Sequence, residues 1–422
     1  MHDFHDVGGE LHCEQVPVAR IAKAVGTPFY LYSHRTLSKH FEAVDGAFAS
    51  IRHVTAFAMK ANSNLAILRL FASLGGGADI VSGGELYRAL KAGVPRDKIV
   101  FAGVGKSREE IAEALKAKIL LFNVESAQEL AAIDEVARKL KTRARISLRV
   151  NPHIDPKTHP YISTGLKKSK FGIAIDEALD HYKEATTLRG VEVVGVHHHI
   201  GSQLTEVEPF VEALVRVLEL VDLLKGYGVT IRYLDMGGGL GIPYKDEAPP
   251  SPRALADAVL PLLRGRDLTL ILEPGRVLVG NAGILVTKVL YTKEGAEKSF
   301  LVVDAGMNDL LRPSLYEAYH EIRPVKRAER VPRMVDVVGP ICESGDFLAQ
   351  DRELPSVEAG ELLAVMSAGA YGFAMASRYN SRPLIPEIMV KGGRFAVVRQ
   401  RENYRDLVRG EAIPPFLQGR RA

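Results

Sequence analysis

The sequence predicts an α/β protein in which a closed (β/α)₈ barrel, the TIM barrel, is followed by a mostly antiparallel β domain. Eight apolar, β-branched runs of strand length alternate with amphipathic helical segments, and this alternation stops after Pro274. Strands joined by helical crossovers pair in parallel and need cover on their outer face. Eight such strands within about 225 residues favour a closed barrel over the alternative, an open doubly wound sheet.

The barrel elements follow one another regularly along the chain. The predicted strands are Val54–Met59, Ala78–Val81, Ile99–Ala102, Leu120–Val124, Ile146–Val150, Val191–His199, Ile231–Asp235 and Leu268–Leu272. The predicted helices are Leu37–Phe48, Leu65–Leu74, Glu85–Lys91, Arg108–Lys116, Ala127–Leu140, Glu177–Thr187, Val207–Leu224 and Ala254–Leu263. Ser107, Ser126 and Asp176 are predicted N-caps, because their side chains can accept hydrogen bonds from the first turn.

Strand-like runs without long helices between them predict the β domain. They lie at Ile284–Thr292, Phe300–Val303, Arg333–Val338, Leu362–Met366, Glu387–Val390 and Phe395–Arg401. An early run at Pro28–Tyr32 is expected to join them from the other end of the chain. The predicted domains are therefore a barrel over 34–277 and a β domain made of 1–33 and 278–422.

Composition and charge narrow the class of protein. Of 422 residues, 46% are hydrophobic and 25% are charged, which is typical of a globular enzyme. The 55 Lys and Arg are scattered and nearly balanced by 51 Asp and Glu, so nucleic acid is not an expected partner. Cys13 and Cys342 show no disulfide or zinc-finger spacing. With no signal-peptide pattern and no apolar run of the ~18 residues that a membrane span needs, we expect a soluble, cytoplasmic protein.

Candidate site residues follow the first, second and eighth predicted strands, at the barrel face where the chemistry of this fold is placed. Lys60 follows the first strand, Gly83 and Gly84 follow the second, and Glu273 stands three residues before Arg276 at the end of the eighth. Each has an ordinary explanation. The lysine can be solvated, the glycines can serve turn geometry, and Glu273 and Arg276 can form a structural ion pair.

Three consecutive histidines end the sixth predicted strand. The two-residue period of a strand points His197 and His199 to one face and His198 to the other. An HxH pair can bind zinc, but a zinc site needs further His or Asp ligands, and the other strand ends offer mainly glycines or a lone Glu. We therefore expect no metal. An imidazole at a barrel mouth can instead stack on an aromatic ligand.

A glycine run follows the seventh predicted strand. Gly237, Gly238 and Gly239 expose successive backbone N–H groups that can form an anion-binding nest, and phosphate is the natural guest. A dinucleotide fingerprint fails because Ile242 occupies its last glycine position, and a Walker motif fails because Val100 occupies its first. A plain loop remains the alternative.

Together these residue types are those that a pyridoxal phosphate (PLP) enzyme needs. The glycine nest would hold the phosphate and Lys60 would form the Schiff base. His199 would stack on the ring, and Glu273 would keep the pyridine nitrogen protonated so that the ring can accept electrons.

Motifs along most of the chain then carry a family resemblance. The sequence resembles the ornithine/diaminopimelate/arginine decarboxylase family, and most closely its members that act on diaminopimelate, from around Pro28 to around Arg405. The motifs are FAMKAN at 57–62, HHHIGSQ at 197–203, GGG at 237–239, EPGR at 273–276, RPSLY at 312–316, GPICESGD at 339–346 and AYG at 370–372.

The resemblance implies a fold, a reaction and a set of site residues. The fold is an alanine-racemase-like barrel with a β domain, and the assembly is a homodimer with shared active sites. The reaction converts meso-2,6-diaminopimelate to L-lysine and CO₂. The family pattern assigns PLP binding to Lys60, His199, Ser202, Gly237, Gly238, Gly239, Glu273, Pro274, Gly275, Arg276 and Tyr371. It assigns substrate binding to Arg276, Arg312, Tyr316, Glu343 and Tyr371, and catalysis to Lys60, His199 and Cys342, with Cys342 and Glu343 supplied by the partner subunit.

Several alternatives stay open at the level of sequence. Ornithine, arginine or a carboxylated polyamine could replace diaminopimelate as the substrate, although Arg312 suits a substrate with a second carboxylate. A racemase is disfavoured because Glu273 implies a strong electron sink. A non-catalytic PLP carrier or regulatory homologue is disfavoured by the presence of both Lys60 and Cys342. Cys342 could also be a buried small hydrophobe, and Arg312 or Tyr316 could be ordinary surface residues.

Overall fold

The computed structural model describes residues 2–155, 170–327 and 329–417. The chain divides into two compact units. The first contains residues 1–4, 33–283 and 367–374, and the second contains residues 5–32, 284–366 and 375–422. We call them the barrel unit and the β unit. In the described ranges, no helix has both the length and the apolar character needed to cross a membrane.

Eight parallel strands in the described part of the barrel unit form a closed barrel, as the sequence predicts. Their bounds are His53–Ala58, Gly77–Ile80, Ile99–Phe101, Leu121–Val124, Ala144–Asn151, Val191–His197, Tyr233–Asp235 and Thr269–Leu272. Each strand pairs with the next in sequence, and the eighth pairs with the first in the register Leu270 to His53. A two-residue strand, Ile173–Ala174, extends the edge beside the fifth. The apolar interior includes Ala56, Val100, Leu121, Val194 and Ile271.

Helices cover the strands from outside, and short polar side chains begin most of them. Their bounds are His34–Ala47, Leu65–Ser73, Gly83–Ala92, Arg108–Ala117, Ala127–Lys139, Ile175–Thr187, Glu208–Gly226, Pro252–Leu263 and Arg276–Val279. Ser107 and Ser126 accept first-turn hydrogen bonds as predicted. The prediction for Asp176 is wrong, because the helix begins at Ile175, two residues before the predicted Glu177, and its N-cap is Ala174.

The β unit is mostly antiparallel. Its main sheet has the strand order Phe347–Pro355, Pro332–Val338, Ser299–Val303, Gly283–Glu294, Phe29–Ser33, Glu387–Lys391 and Arg394–Arg399. Ile322–Pro324 and Leu362–Val365 pair beside it, and Phe4–Val7, Glu10–Cys13 and Val16–Pro17 form a small separate sheet. The helices are Val18–Val25, Arg312–Tyr316 and Tyr404–Leu407. The early run therefore joins the sheet as predicted.

Candidate active site

Lys60 lies in the turn Met59–Ala61, directly after the first barrel strand, and is held by an ion pair. Its Nζ is 2.7 Å from the carboxylate of Asp79, which is completely buried in the neighbouring strand. Burial opposes the ammonium charge, but the carboxylates of Asp79 and Glu273 outweigh it and raise the pKa of Lys60. Burial and the nearby Glu273 raise the pKa of Asp79 to about 7, although Lys60 acts against this. The barrel mouth thus contains a prearranged amine and carboxylate.

Two buried carboxylates, Asp235 and Glu273, lie side by side at the ends of the seventh and eighth strands. The Asn123 amide donates to both, at 2.9 Å to Asp235 and 3.2 Å to Glu273, and its oxygen accepts a hydrogen bond from Ser147. Burial, followed by the charge of Glu273, raises the pKa of Asp235 well above its usual range. A carboxylate pair with a shared amide donor can hold a proton on a ring nitrogen without itself carrying two full negative charges.

The three histidines have distinct environments because the strand ends at His197. The Nε2 of His197 is 3.6 Å from Glu273, whereas the Nδ1 of His199 accepts a hydrogen bond of 3.3 Å from the N–H of Gly238. Burial lowers the pKa of His198 to about 3 and lowers those of His197 and His199 well below the usual range. All three rings are therefore neutral at pH 7, and His199 lies against the glycine loop.

Ligand-type atoms also converge on His197. One atom each from His197, Asp235 and Glu273 lie within 4.8 Å of one another. The expectation that the other strand ends offer mainly glycines or a lone Glu is therefore incomplete, since barrel closure brings Asp235 as well as Glu273 to His197. The absence of a metal stays a prediction.

The glycine loop has backbone that only glycine accommodates well. Gly237 and Gly239 have φ of 65° and 120°, in the left-handed region. A Cβ on Gly238 would lie 2.1 Å from the carbonyl oxygen of Glu273, and one on Gly239 would lie 2.4 Å from that of Gly201. The loop therefore packs backbone to backbone against Glu273 and Gly201. The N–H of Gly237 donates to the Asp235 carboxylate at 3.0 Å and that of Gly238 donates to His199, so the expectation that all three N–H groups are exposed to an anion is wrong.

Arg276 links the other predicted phosphate-binding residues. Its two terminal nitrogens donate to the hydroxyls of Ser202, at 3.0 Å, and Tyr244, at 2.7 Å. The guanidinium lies 5.0 Å from the ring centroid of Tyr371. The N–H of Tyr371 donates to the carbonyl of Ala61, at 2.8 Å, which places this segment beside the turn that contains Lys60. Gly275 packs tightly here too, since its Cβ would lie 3.2 Å from that of Ala58.

The remaining predicted residues belong to the β unit. Arg312 is buried at the start of the helix Arg312–Tyr316, and Tyr316 is half-buried. Cys342 and Glu343 are exposed in the loop after Pro332–Val338. The alternatives in which Cys342 is a buried hydrophobe and Arg312 a surface residue are therefore wrong.

Backbone contacts hold the Cys342 loop in place. The N–H of Cys342 donates to the Oδ1 of Asn380, at 2.7 Å. The buried Asp346 carboxylate accepts from the N–H groups of Ile341 and Met307, both at 2.6 Å. Ser314 donates to the carbonyl of Gly345, at 2.6 Å, which ties the loop to the helix that begins with Arg312. Exposed side chains thus stand on an anchored loop.

Comparison with known proteins identifies the family. Residues 34–280 match the pyridoxal binding domain of the pyridoxal-dependent decarboxylases. The chain belongs to this family. Among pyridoxal-dependent decarboxylases, the chain is 52% identical over 397 residues to the diaminopimelate decarboxylase of Aquifex aeolicus, covering 94% of each. It is 51% identical to that of Pseudomonas aeruginosa, covering 98% of this chain and 100% of the relative.

A solved structure agrees with these relatives. The crystal structure of diaminopimelate decarboxylase from M. jannaschii in complex with L-lysine has a TM-score of 0.94 and 42% identity to this chain. The similarity covers 99% of this chain and 100% of the M. jannaschii chain. The resemblance to this decarboxylase family, and the barrel with a β domain that it implies, are confirmed.

The barrel mouth fits the pyridoxal cofactor of the family. It combines the Lys60 amine, the buried Glu273 carboxylate and a glycine loop whose close backbone packing leaves no room for a side chain. Within the described residues, the Oδ1 of Asp79 and both ring nitrogens of His197 are buried without a hydrogen-bond partner. Polar atoms of this kind are costly in a closed core and are typical of a site that receives a polar ligand.

Sequence reasoning missed several residues of this site, namely Asp79, Asn123, Ser147, Asp235 and Tyr244. The first four stand in strands, at positions whose neighbours along the chain are apolar. A polar residue inside an apolar strand run is a signal for a buried polar contact, and that signal was available. Tyr244 stands in a loop without regular structure, and no pattern marks it.

Proposed function

We propose that this protein removes the carboxylate at one end of meso-2,6-diaminopimelate and releases L-lysine and CO₂. One carbon–carbon bond breaks, its electron pair stays on the former α-carbon, and a proton takes the place of the carboxylate. The observation that carries the proposal is the amine, carboxylate and glycine loop gathered at the barrel mouth, in a chain about half identical over its whole length to diaminopimelate decarboxylases.

When it is bound, PLP supplies an electron sink for the broken bond. Lys60 would hold the cofactor through its amine. Glu273 would hold a proton at the ring nitrogen, supported by Asn123 and the protonated form that Asp235 favours. Neutral His199 would lie against the ring, since its Nδ1 is already engaged by the glycine loop.

The phosphate would bind where backbone donors and a guanidinium meet. Gly239 with its neighbours and the turn Glu273–Arg276 would provide the backbone, and Ser202 and Tyr371 flank Arg276. A dianionic phosphate suits this set, because charge-assisted hydrogen bonds to it are stronger than neutral ones.

The substrate needs recognition at both ends. By the family resemblance, Arg276, Arg312, Tyr316 and Tyr371 would bind its carboxylates. Glu343 would receive the distal ammonium group. Cys342 would deliver the proton from its Sγ to the carbon that loses CO₂.

We further propose a cytoplasmic homodimer in which Cys342 and Glu343 serve the site of the other subunit. The exposure of both side chains supports this, because a proton donor and an ammonium-binding carboxylate act only inside a closed site. Anchoring of their loop by Asn380 and Asp346 supports it as well, since a loop that reaches into another subunit needs a defined shape.

Substrate profiling tests the reaction. The protein reconstituted with PLP is supplied separately with meso-diaminopimelate, ornithine, arginine and L-lysine, and CO₂ and the amine product are measured. We expect L-lysine from meso-diaminopimelate and no turnover of the other three. Turnover of ornithine or arginine alone would contradict the substrate, and no turnover of any despite bound PLP would contradict the activity.

Subunit mixing tests the shared site. Lys60→Ala and Cys342→Ala proteins should each be nearly inactive as homodimers. Random reassembly of an equimolar mixture places one intact site in each mixed dimer, so activity should return to about one quarter of the native value. Failure to recover activity in mixtures that are shown to exchange subunits would place Cys342 in the site of its own chain.

A further inference from the structure

We propose that His320 is a positioning residue that orients the guanidinium of Arg312 toward the substrate carboxylate. This inference rests on the proposed function, because it concerns the residue expected to bind the distal carboxylate. It concerns only contacts inside the β unit. Neither the sequence motifs nor the mechanism above gives His320 a role.

The contact between the two side chains is direct and buried. The Nε of Arg312 donates to the Nε2 of His320 at 3.4 Å. His320 is completely buried and Arg312 is 6% exposed. Each buried N–H group of a guanidinium needs a hydrogen-bond acceptor. An imidazole nitrogen is an unusual acceptor for arginine, because histidine can also carry a positive charge.

A second contact fixes which nitrogen of His320 carries the proton. The Nδ1 lies 2.9 Å from the carbonyl oxygen of Met366, which can only accept. The Nδ1 must therefore carry the hydrogen, which leaves the lone pair of the neutral ring on Nε2. That lone pair faces the Nε–H of Arg312, which can only donate. Both contacts are satisfied only by the neutral ring in this tautomer.

The backbone around His320 is held as firmly as its ring. The carbonyl of His320 accepts a hydrogen bond of 2.8 Å from Arg352, whose guanidinium lies 4.1 Å from the ring centroid of Tyr319. The N–H of Met366 donates to the carbonyl of Glu321 at 2.8 Å. The imidazole thus spans two neighbouring backbone segments, and its Nε2 has little freedom to move.

This arrangement gives Arg312 a defined orientation. An arginine has several rotatable bonds, and ordering it when the substrate binds costs conformational entropy. An acceptor for Nε fixes the plane of the guanidinium before binding. The helix Arg312–Tyr316 is only five residues long, so the side-chain contact adds an anchor that the helix alone does not give.

Two isosteric substitutions separate the two contacts of the ring. The amide nitrogen of His320→Asn stands near the Nδ1 position and can keep the bond to Met366 while the acceptor for Arg312 is lost. The amide of His320→Gln reaches the Nε2 position and can keep the acceptor while the bond to Met366 is lost. We expect KM for meso-diaminopimelate to rise about tenfold in His320→Asn, with kcat changed much less, and to rise clearly less in His320→Gln.

A pair of ligands that differ by one carboxylate gives a sharper readout. L-lysine and cadaverine have the same carbon chain and amines, but cadaverine lacks the carboxylate. As competitive inhibitors, L-lysine should bind about tenfold more weakly to His320→Asn than to the native protein, whereas cadaverine should change less than about twofold. Arg312→Met, measured in parallel, should show the same discrimination more strongly.

The outcomes distinguish this inference from the proposed function. If the native protein does not decarboxylate meso-diaminopimelate, the proposed function fails. If it does, but both His320 variants weaken L-lysine and cadaverine equally, His320 has a structural role only and the inference is wrong.

Should both variants fail to fold, the native protein itself still gives a test. Nitrogen-15 chemical shifts of selectively labelled histidine report the tautomer directly, and we expect His320 neutral with its hydrogen on Nδ1. A hydrogen on Nε2 would overturn the inference, because that nitrogen could then not accept from Arg312.

Discussion

The barrel mouth and the Cys342 loop present their functional groups in opposite ways. At the mouth, Asp79, Asp235 and Glu273 are buried, and their partners lie within the same unit. On the loop, Cys342 and Glu343 are exposed, and only the backbone beneath them is anchored.

This difference follows from what each region must do. Burial beside other charges shifts the pKa values of Asp79 and Asp235, and shifts of this kind are typical of groups that tune a cofactor. Side chains that act on a ligand bound by other residues, such as Cys342 and Glu343, must stay accessible. The fold can therefore fix only the backbone that carries them. A substitution at the barrel mouth should therefore change function through packing and charge. A substitution near Cys342 should change function through the shape of the loop.

The largest effect is expected at the glycine loop. Gly238→Ala places a Cβ 2.1 Å from the Glu273 carbonyl oxygen, and backbone on both sides cannot yield easily. We expect PLP affinity to fall by about 10- to 100-fold, measured by absorbance titration of the cofactor-free protein. Gly226→Ala is the control, because no heavy atom lies within 4 Å of its Cβ. Equal affinity in both variants would remove the loop from the cofactor site.

Acid should weaken the barrel unit through the buried His198, whereas buried acids with raised pKa values, such as Asp79 in the barrel unit and Asp309 in the β unit, act in the opposite direction. Burial lowers the pKa of His198 to about 3, so its stabilising effect is present above the unfolded value and lost as pH falls below about 6.5. The contribution of Asp309 to the stability of the β unit has the opposite pH dependence. Burial raises its pKa to about 7, so its effect is present at low pH and lost as pH rises through 7.

Between pH 7 and pH 5, His198 alone should therefore cost the barrel unit about 2 kcal/mol of unfolding free energy. Hydrogen exchange resolved by unit and corrected for intrinsic rates measures this. His198→Gln should reduce the loss and Asp309→Asn should leave it unchanged. The same acid-induced loss in the native protein and in His198→Gln would contradict the prediction.

The ion pair of Lys60 should control how readily the amine reacts. In Asp79→Asn, the carboxylate that raises the pKa of Lys60 is gone, whereas burial still lowers it, so the pKa of Lys60 should fall. More neutral amine is then present at pH 7, and PLP capture by the cofactor-free protein should be about tenfold faster in stopped-flow absorbance. Asp180→Asn, at an exposed carboxylate, should capture PLP at the native rate. A slower capture in Asp79→Asn would mean that the charge of Lys60 does not limit the reaction.

The smallest effect is expected at Asn380, which supports the Cys342 loop only through a backbone bond. Asn380→Ala should lower kcat about fivefold and leave PLP affinity unchanged, because one hydrogen bond orders the loop. Asn380 has φ of 53°, so Asn380→Gly removes the acceptor without strain and Asn380→Asp keeps the acceptor. If the glycine variant has native kcat, backbone strain rather than the lost bond explains the alanine result.

The sequence predicts the barrel strands well because they are short, mainly apolar and separated by amphipathic helices. The strand Phe347–Pro355 was missed, since its second half carries Asp351, Arg352 and Glu353 and lies at the edge of the sheet. The N-terminal strands Phe4–Val7 and Glu10–Cys13 were missed because they are short and polar. Edge strands need only one buried face, which weakens their hydrophobic pattern.

Within the site, the residues at strand ends could be predicted from the sequence. The residues that meet only because the barrel closes could not. Lys60, His199, Gly238 and Glu273 stand at strand ends, where the fold places its chemistry. The proximity of Asn123 to Asp235 and Glu273 depends on strands far apart in sequence meeting across the barrel. No local pattern encodes that distance. The roles of individual site residues stay predictions.

Closure of the barrel also has a consequence for how the enzyme is made. The first strand pairs with the eighth, so the Lys60 turn meets the Glu273 turn only after the whole barrel sequence has been synthesised. A growing chain on the ribosome holds the amine early but lacks the carboxylate and the glycine loop until late. Cofactor capture should therefore mark the end of barrel folding, and pyridoxal supply should affect the yield of mature protein more than the rate at which nascent chains begin to fold.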